Sequence, residues 1–301
     1  MISIIISSYR QQYFSFLKKN IADTIGVEYE IIKVDNAGKM GICEAYNIGA
    51  KKARYPYLCF VHEDVKFIST SWGVNLINHF ISDNNCGVIG VAGSIYKVRM
   101  LSTWWQPEVA GIEPKRTNYI QYFENTQTRD HMFLNPFAEK RSVVATLDGV
   151  FLGVKKDRWK EILFDQNLLK GFHGYDLDFT LRVGLRFNNY VVYDILLEHF
   201  SEGTISPDWF KQVYLVHKKN KKHLPVTKSG LIKIKDLRPI EKGYLEKSLD
   251  YVSKWQLKKY RIMVVFMHLI YNSKLFRPNR IFLKSLLKEF SNNRKSLELQ
   301  E

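Results

Sequence analysis

Cysteine is scarce in this sequence, with only Cys43, Cys59 and Cys86. Three thiols cannot all pair with one another, and their spacing fits no zinc-binding pattern. A disulfide-stapled scaffold is therefore excluded, and small buried thiols suited to a reducing cytosol are expected. Long apolar runs are also missing. None reaches the roughly 20 residues that a membrane-spanning helix needs, and the longest approach, Ile262 to Tyr271, is too short and carries a histidine. The N-terminal MISIIISSYR has neither a basic leader nor a small-residue cleavage site, so no signal peptide is expected. No Gly-x-Gly-x-x-Gly follows the first apolar run, and no Gly-Lys-Ser/Thr loop occurs, which removes the dinucleotide and P-loop fingerprints. There is no internal repeat and no low-complexity tract.

What remains is an ordinary globular composition over 301 residues, 46% hydrophobic and 25% charged. That length accommodates one large domain with an appendage. The net charge of +15 is unevenly placed. Residues 1–210 hold 23 basic and 23 acidic side chains, whereas residues 211–301 hold 22 and 7. The basic tail predicts contact with something anionic, such as a membrane surface. Nucleic acid is the less expected partner, because no nucleic-acid motif accompanies the charge. The polar end from Ser291 predicts disorder.

Short β-branched runs alternate with helical patterns along the first two thirds. Strands are expected at residues 2–7, 29–34, 57–61 and 88–92, with helices at 12–25, 42–53 and 72–81 between them. Such alternation predicts parallel pairing and right-handed crossovers, a doubly wound α/β domain. Residues 94–142 look irregular, as a functional loop region would. Strands near 143–146, 151–154 and 190–195 and helices near 157–163 and 175–186 complete the pattern. Beyond Pro207 the chain reads as Lys-rich helices broken near Pro225 and Pro278.

In an open parallel sheet, ligands bind at the carboxyl ends of the strands. Three expected strands end in polar clusters: Ser7-Ser8-Tyr9-Arg10, Asp35-Asn36 and His62-Glu63-Asp64. All three should converge on one rim. Such a rim suits a nucleotide held by side chains, with a divalent metal bridging its phosphates. Asp64 offers the carboxylate oxygens that a hard cation requires, and alternation turns Glu63 to the opposite face. Asp178 precedes Arg182 by four residues and is expected to pair with it.

Taken in order, ISIIISSYR, VDNAGKMGICEAYNIGAKKARYPYLCFVHEDV, LDGVFLGVKKDRW, FDQNLLKGFHGYDLDFTLR and EHFSEG resemble family 2 glycosyltransferases of the GT-A fold. They are especially similar to a bacterial branch whose metal motif reads His-x-Asp-Val and whose catalytic helix opens Gly-Phe-His-x-Tyr-Asp. The resemblance covers about residues 1–205. It implies a GT-A domain over 1–205, followed by a basic helical region over 206–301.

The resemblance also implies roles. Asp176 would be the general base, and Ser8, Tyr9, Asp35, Asp64 and Asp148 would bind the nucleotide-sugar donor. Asp64, His199 and His62 would hold Mn²⁺ or Mg²⁺. Trp104, Trp105 and His173 are expected near a glycan or lipid-linked acceptor, since aromatic rings pack on the C–H face of a pyranose. The implied activity is inverting sugar transfer in bacterial surface polysaccharide or glycolipid assembly, at the cytoplasmic face of the membrane. Two alternatives are a sugar nucleotidyltransferase, which should carry a Gly-rich loop where SSYRQQYF stands, and a non-catalytic polyanion-binding protein. Bland readings compete residue by residue: a turn at Asp35 or Asp148, a helix cap at Asp176, core filling for the tryptophans.

Overall fold

The computed structural model describes the backbone of residues 1–272 and the side chains of residues 1–265. The break expected at Pro278 and the polar end from Ser291 lie outside the described residues. The chain divides into two compact units, Met1–Lys247 and a second beginning at Ser248.

The first unit opens with β1 (Ile2–Ser8), α1 (Gln11–Thr24), β2 (Tyr29–Asp35), α2 (Ile42–Lys52) and β3 (Tyr57–Val61). Next come β4 (Val65–Phe67), α3 (Trp72–Ile81), β5 (Cys86–Gly90), β6 (Ala92–Ser94) and β7 (Tyr96–Lys97). A hairpin of β8 (Lys115–Phe123) and β9 (Thr128–Leu134) follows, then β10 (Arg141–Val144), β11 (Thr146–Leu147) and β12 (Phe151–Lys155). The unit continues with α4 (Lys156–Glu161), α5 (Tyr175–Val183), β13 (Asn188–Val192), β14 (Leu197–His199), α6 (Pro207–Asn220) and β15 (Val226–Thr227). α7 (Arg238–Lys254) leads into the second unit, where α8 (Lys258–Asn272) follows.

Seven strands form the main sheet in the order β10-β13-β5-β12-β3-β1-β2. The β2-β1-β3 and β5-β13 pairings are parallel, while β12 and β10 run against their neighbours. Both faces are covered, as a doubly wound α/β sheet requires. Alternation along β1 sends Ile2, Ile4 and Ile6 into one cluster with Leu17 and Ile21 of α1 and Leu76 and Phe80 of α3. Ile5 points the other way, under α2, where Gly49 lets the helix lie against it. Each of these isoleucines is fully buried and contributes about 1.5–3 kcal/mol. All three cysteines are buried and free, as their apolar settings predict.

The region from 94 to 142 is more ordered than its composition suggests. β8 is the middle of a second sheet, β11-β6-β8-β14-β4, with β9 paired along it. The hairpin is hard to read because β9 is mostly exposed and so carries no apolar alternation. α6 packs on α5 within the first unit. Its start is capped by the Ser206 hydroxyl, which accepts the Trp209 amide at 3.1 Å, with Pro207 in the first turn.

Candidate functional site

The strand ends converge as expected on one cleft of about 990 Å³. Ser7 near the end of β1, Tyr9 after it, Asn36 after β2, and His62, Glu63 and Asp64 after β3 all line it. Along residues 61–65 burial alternates strictly, so His62 and Asp64 face the cleft side while Val61, Glu63 and Val65 are buried. Glu63 accepts the backbone N–H groups of Tyr9 and Arg10 at 3.3 and 3.1 Å, tying the end of β3 to the turn after β1.

Antiparallel pairing of β14 with β4 sets His199 opposite Val65 and so beside Asp64. Asp64 Oδ1 lies 4.0 Å from His62 Nδ1 and 3.8 Å from His199 Nε2. One ligand atom from each residue lies within 4.8 Å of the others. Two ligands bound at about 2.0–2.2 Å to a common ion lie at most about 4.4 Å apart, so the 4.0 and 3.8 Å pairs can flank one divalent cation with open positions left over. Burial and the neighbouring charge oppose each other here. Burial holds His62 and His199 below the usual imidazole range despite Asp64. Asp64 is pushed up by burial but held below its usual range by the two histidines and the Ser201 hydroxyl. Neutral imidazoles beside an ionised carboxylate are the form that a metal ion binds.

Asp148 and Asp176 line the same cleft. Asp148 closes the turn between β11 and β12, accepting the Val150 amide at 2.8 Å. Burial raises its pKa, while that amide, His199 and a hydrogen bond from Trp104 oppose the rise. Asp176 occupies the first turn of α5. Burial first, and Asp148 second, push its carboxyl up to about 7, against hydrogen bonds from the backbone amides of Leu177 and of Asp176 itself, which lower its pKa. If Asp176 works as a base, activity should climb as pH rises through about 7 and flatten above it. A pH–rate profile checks this, and an acid limb near 4 would contradict the assignment.

The other expected residues divide. Tyr9, Trp104, Trp105 and His173 line the cleft with Asp64, Asp148, Asp176, His62 and His199. Ser8 and Asp35 do not. Ser8 is buried on the opposite side of β1 from Ser7, and Asp35 is largely exposed and paired with Lys33 at 2.6 Å. Asn36 takes the cleft position beside it, where its side chain bonds both the amide and the carbonyl of Met40 and fixes the 36–40 turn. Trp104 and Trp105 meet edge to face, ring centres 5.5 Å apart, and Lys115 lies 4.3 Å over the Trp105 ring. Beneath them the fully buried Lys97 donates to Ser102 and to the Thr103 carbonyl, tethering the loop that carries both rings. Asp178 is buried away from the cleft and bonds Arg182, as its spacing predicts, together with Lys219 and Asn220.

Sequence reasoning missed Tyr175. Its hydroxyl bonds the Gly149 carbonyl at 2.9 Å and His62 Nε2 at 2.7 Å. Gly149 is needed for this approach, because a Cβ there would fall on the Tyr175 hydroxyl. Gly149→Ala is expected to cost roughly 1–3 kcal/mol of stability through overpacking, read as a lowered urea midpoint.

Residues 3–226 match a family model described as "Glycosyltransferase like family". Among solved structures, GalNAc-T7 with UDP, GalNAc and Mn²⁺ aligns at 12% identity and a TM-score of 0.49, covering 82% of this chain and 54% of that one. A197 from STIV aligns at 15% identity and a TM-score of 0.38, covering 67% of this chain and 86% of that one. The chain thus spans about half the length of the first of these structures. No curated protein matches it.

Proposed function

The chain belongs to the glycosyltransferase-like family, and we propose that it moves a sugar from a nucleoside-diphosphate donor to an acceptor hydroxyl, with inversion. The observation that carries this reading is one cleft lined both by the His62–Asp64–His199 group and by Asp176. A divalent cation held by those three residues would supply positive charge to a departing diphosphate. Two imidazoles and one carboxylate favour Mn²⁺ over Mg²⁺, which prefers oxygen ligands.

Asp176 accepts the acceptor's proton at a carboxylate oxygen, and a pKa near 7 keeps it a competent base at neutral pH. Asp148, held by the Val150 amide and Trp104, is fixed as a positioning carboxylate rather than an attacking one. That division of roles supports direct displacement at the anomeric carbon. Trp104 and Trp105 offer a face for the acceptor sugar, His173 lines the same cleft, and Tyr9 with the 36–40 turn offers a seat for the nucleotide. The division into a catalytic domain over 1–205 and a basic helical region over 206–301, and a place in bacterial surface polysaccharide or glycolipid assembly, belong to the same proposal.

A panel of nucleotide sugars scored for nucleoside diphosphate release, with and without chelator, tests it. Metal-dependent release with at least one donor is expected, together with an inverted anomeric signal in the product. Release unaffected by chelator, or none from any donor, would overturn the reading.

The tail suggests where the enzyme works. No described helix is long and apolar enough to cross a membrane. In α8, Ile262 and Met263 are exposed beside Lys258, Lys259 and Arg261, and Tyr251 stacks on Trp255 just before it. Aromatics, cations and a short apolar run suit a helix lying in an anionic membrane surface, where each basic residue contributes about 1 kcal/mol. The full chain should co-sediment with phosphatidylserine vesicles and release at high salt. Equal partitioning into neutral vesicles would remove the anionic surface from the proposal.

A further inference from the structure

A metal-binding imidazole must present a lone pair, so its other nitrogen has to carry the proton. In this site both proton positions follow from the surrounding hydrogen bonds. The Gly149 carbonyl has no proton to give, so the single phenolic proton of Tyr175 is donated to it. The Tyr175 oxygen can then only accept from His62, whose Nε2 lies 2.7 Å away and must bear N–H. That leaves the lone pair of His62 on Nδ1, the nitrogen facing Asp64.

The second histidine is fixed from the opposite wall. Parallel pairing of β14 with β8 sets His199 in register with Gln121. The Gln121 amide nitrogen is directed at three carbonyls, those of Tyr122, Ser201 and His199, at 2.8, 3.0 and 3.4 Å. Its oxygen is therefore the atom that meets His199 Nδ1, at 3.4 Å, and it can only accept. His199 carries its proton on Nδ1 and turns the lone pair of Nε2 toward Asp64.

We propose that Tyr175 and Gln121 are positioning residues that lock His62 and His199 in opposite tautomers, so that both lone pairs converge beside Asp64. The two residues come from different elements, α5 and β8, and each contacts only one of the histidines. The inference rests on the metal reading above, but the proton positions exist without any ion.

Imidazole ¹⁵N spectra of the metal-free full chain, recorded at pH 8 with labelled histidine, test it directly. The wild type should show His62 protonated at Nε2 and His199 at Nδ1. Tyr175→Phe should mix the His62 tautomers and leave His199 unchanged, while Gln121→Met should do the reverse. Mn²⁺ titration followed by electron paramagnetic resonance should show affinity falling roughly 10–100-fold in each variant. The opposite tautomer at either histidine in the wild type overturns the proposal without any variant having to fold. So does unchanged Mn²⁺ affinity in both variants when the wild type binds. Failure of the wild type to bind Mn²⁺ removes the metal reading instead, and the spectra still decide the tautomers.

Discussion

Asp176→Asn is expected to lower turnover by roughly 10²–10⁴-fold, the usual cost of losing a general base, with donor binding nearly preserved. Asparagine keeps the shape and polarity of the side chain but cannot take the acceptor proton. The variant should be at least as stable as the parent. Folding raises the Asp176 pKa to about 7, so the folded state binds that proton more tightly than the unfolded chain does. Stability from this group is therefore full at low pH and declines as pH rises from the ordinary carboxylate range toward about 7. Asparagine removes that ionisation and its penalty. The opposite pattern is expected at Asp178→Asn. There the carboxylate is buried among Arg182, Lys219 and Asn220, and weakening charged hydrogen bonds costs about 1.5–3 kcal/mol. That exceeds the few tenths expected of an exposed helix pair, because α6 supplies two partners that spacing within α5 cannot reveal. Steady-state kinetics with thermal melts on the two variants separates base from scaffold. A turnover defect that follows Asp178 would reverse the assignment.

Asp64→Ala is expected to abolish Mn²⁺ binding and with it metal-dependent activity, while leaving the fold intact. Asp64 is the only carboxylate in the group with His62 and His199, and its backbone carbonyl keeps its bond from the Phe200 amide whatever the side chain. The remaining imidazoles would still be neutral, but without the anionic ligand the site loses its attraction for a hard cation. Calorimetry with Mn²⁺ in the presence of nucleoside diphosphate is the measurement. Unchanged affinity would take Asp64 out of the site.

The parts of the molecule legible in the sequence are those where one local rule dominates. The apolar runs at Ile2–Ile6 and Leu58–Val61 read as buried strands, and the polar residues at their ends converge on one cleft. His62 and Asp64 share a side because two is the period of a strand. The β8–β9 hairpin was not legible, since its residues alternate around a half-solvated sheet in a stretch rich in Asn, Arg and Tyr. Tyr175, Gln121 and Lys97 were not legible either. Tyr175 and Gln121 depend on contacts from distant elements, a glycine carbonyl at 149 and a histidine 78 residues away, and Lys97 on the way the 97–103 loop folds over its buried amino group. Ser8 and Asp35 show the converse case, where the strand ends reach the cleft through Ser7 and Asn36 and the pleat turns the named side chains off its wall.

The position of β12 bears on how the chain is made. Residues 151–155 sit in the sheet between β3 and β5, which are synthesised far earlier. A nascent chain released only as far as residue 150 would hold β1, β2 and β3 with the inner edge of β3 bare, a row of unpaired amides and carbonyls. Nothing local can fill that gap, because the strand that fits it comes from a long-range return of the chain. The N-terminal half thus waits on the ribosome in an adhesive form, and chaperone capture or self-association is expected to peak in chains that end between 62 and 150. Ribosome-bound chains of graded length, probed by limited proteolysis, should pass from labile to protected once 155 clears the exit tunnel.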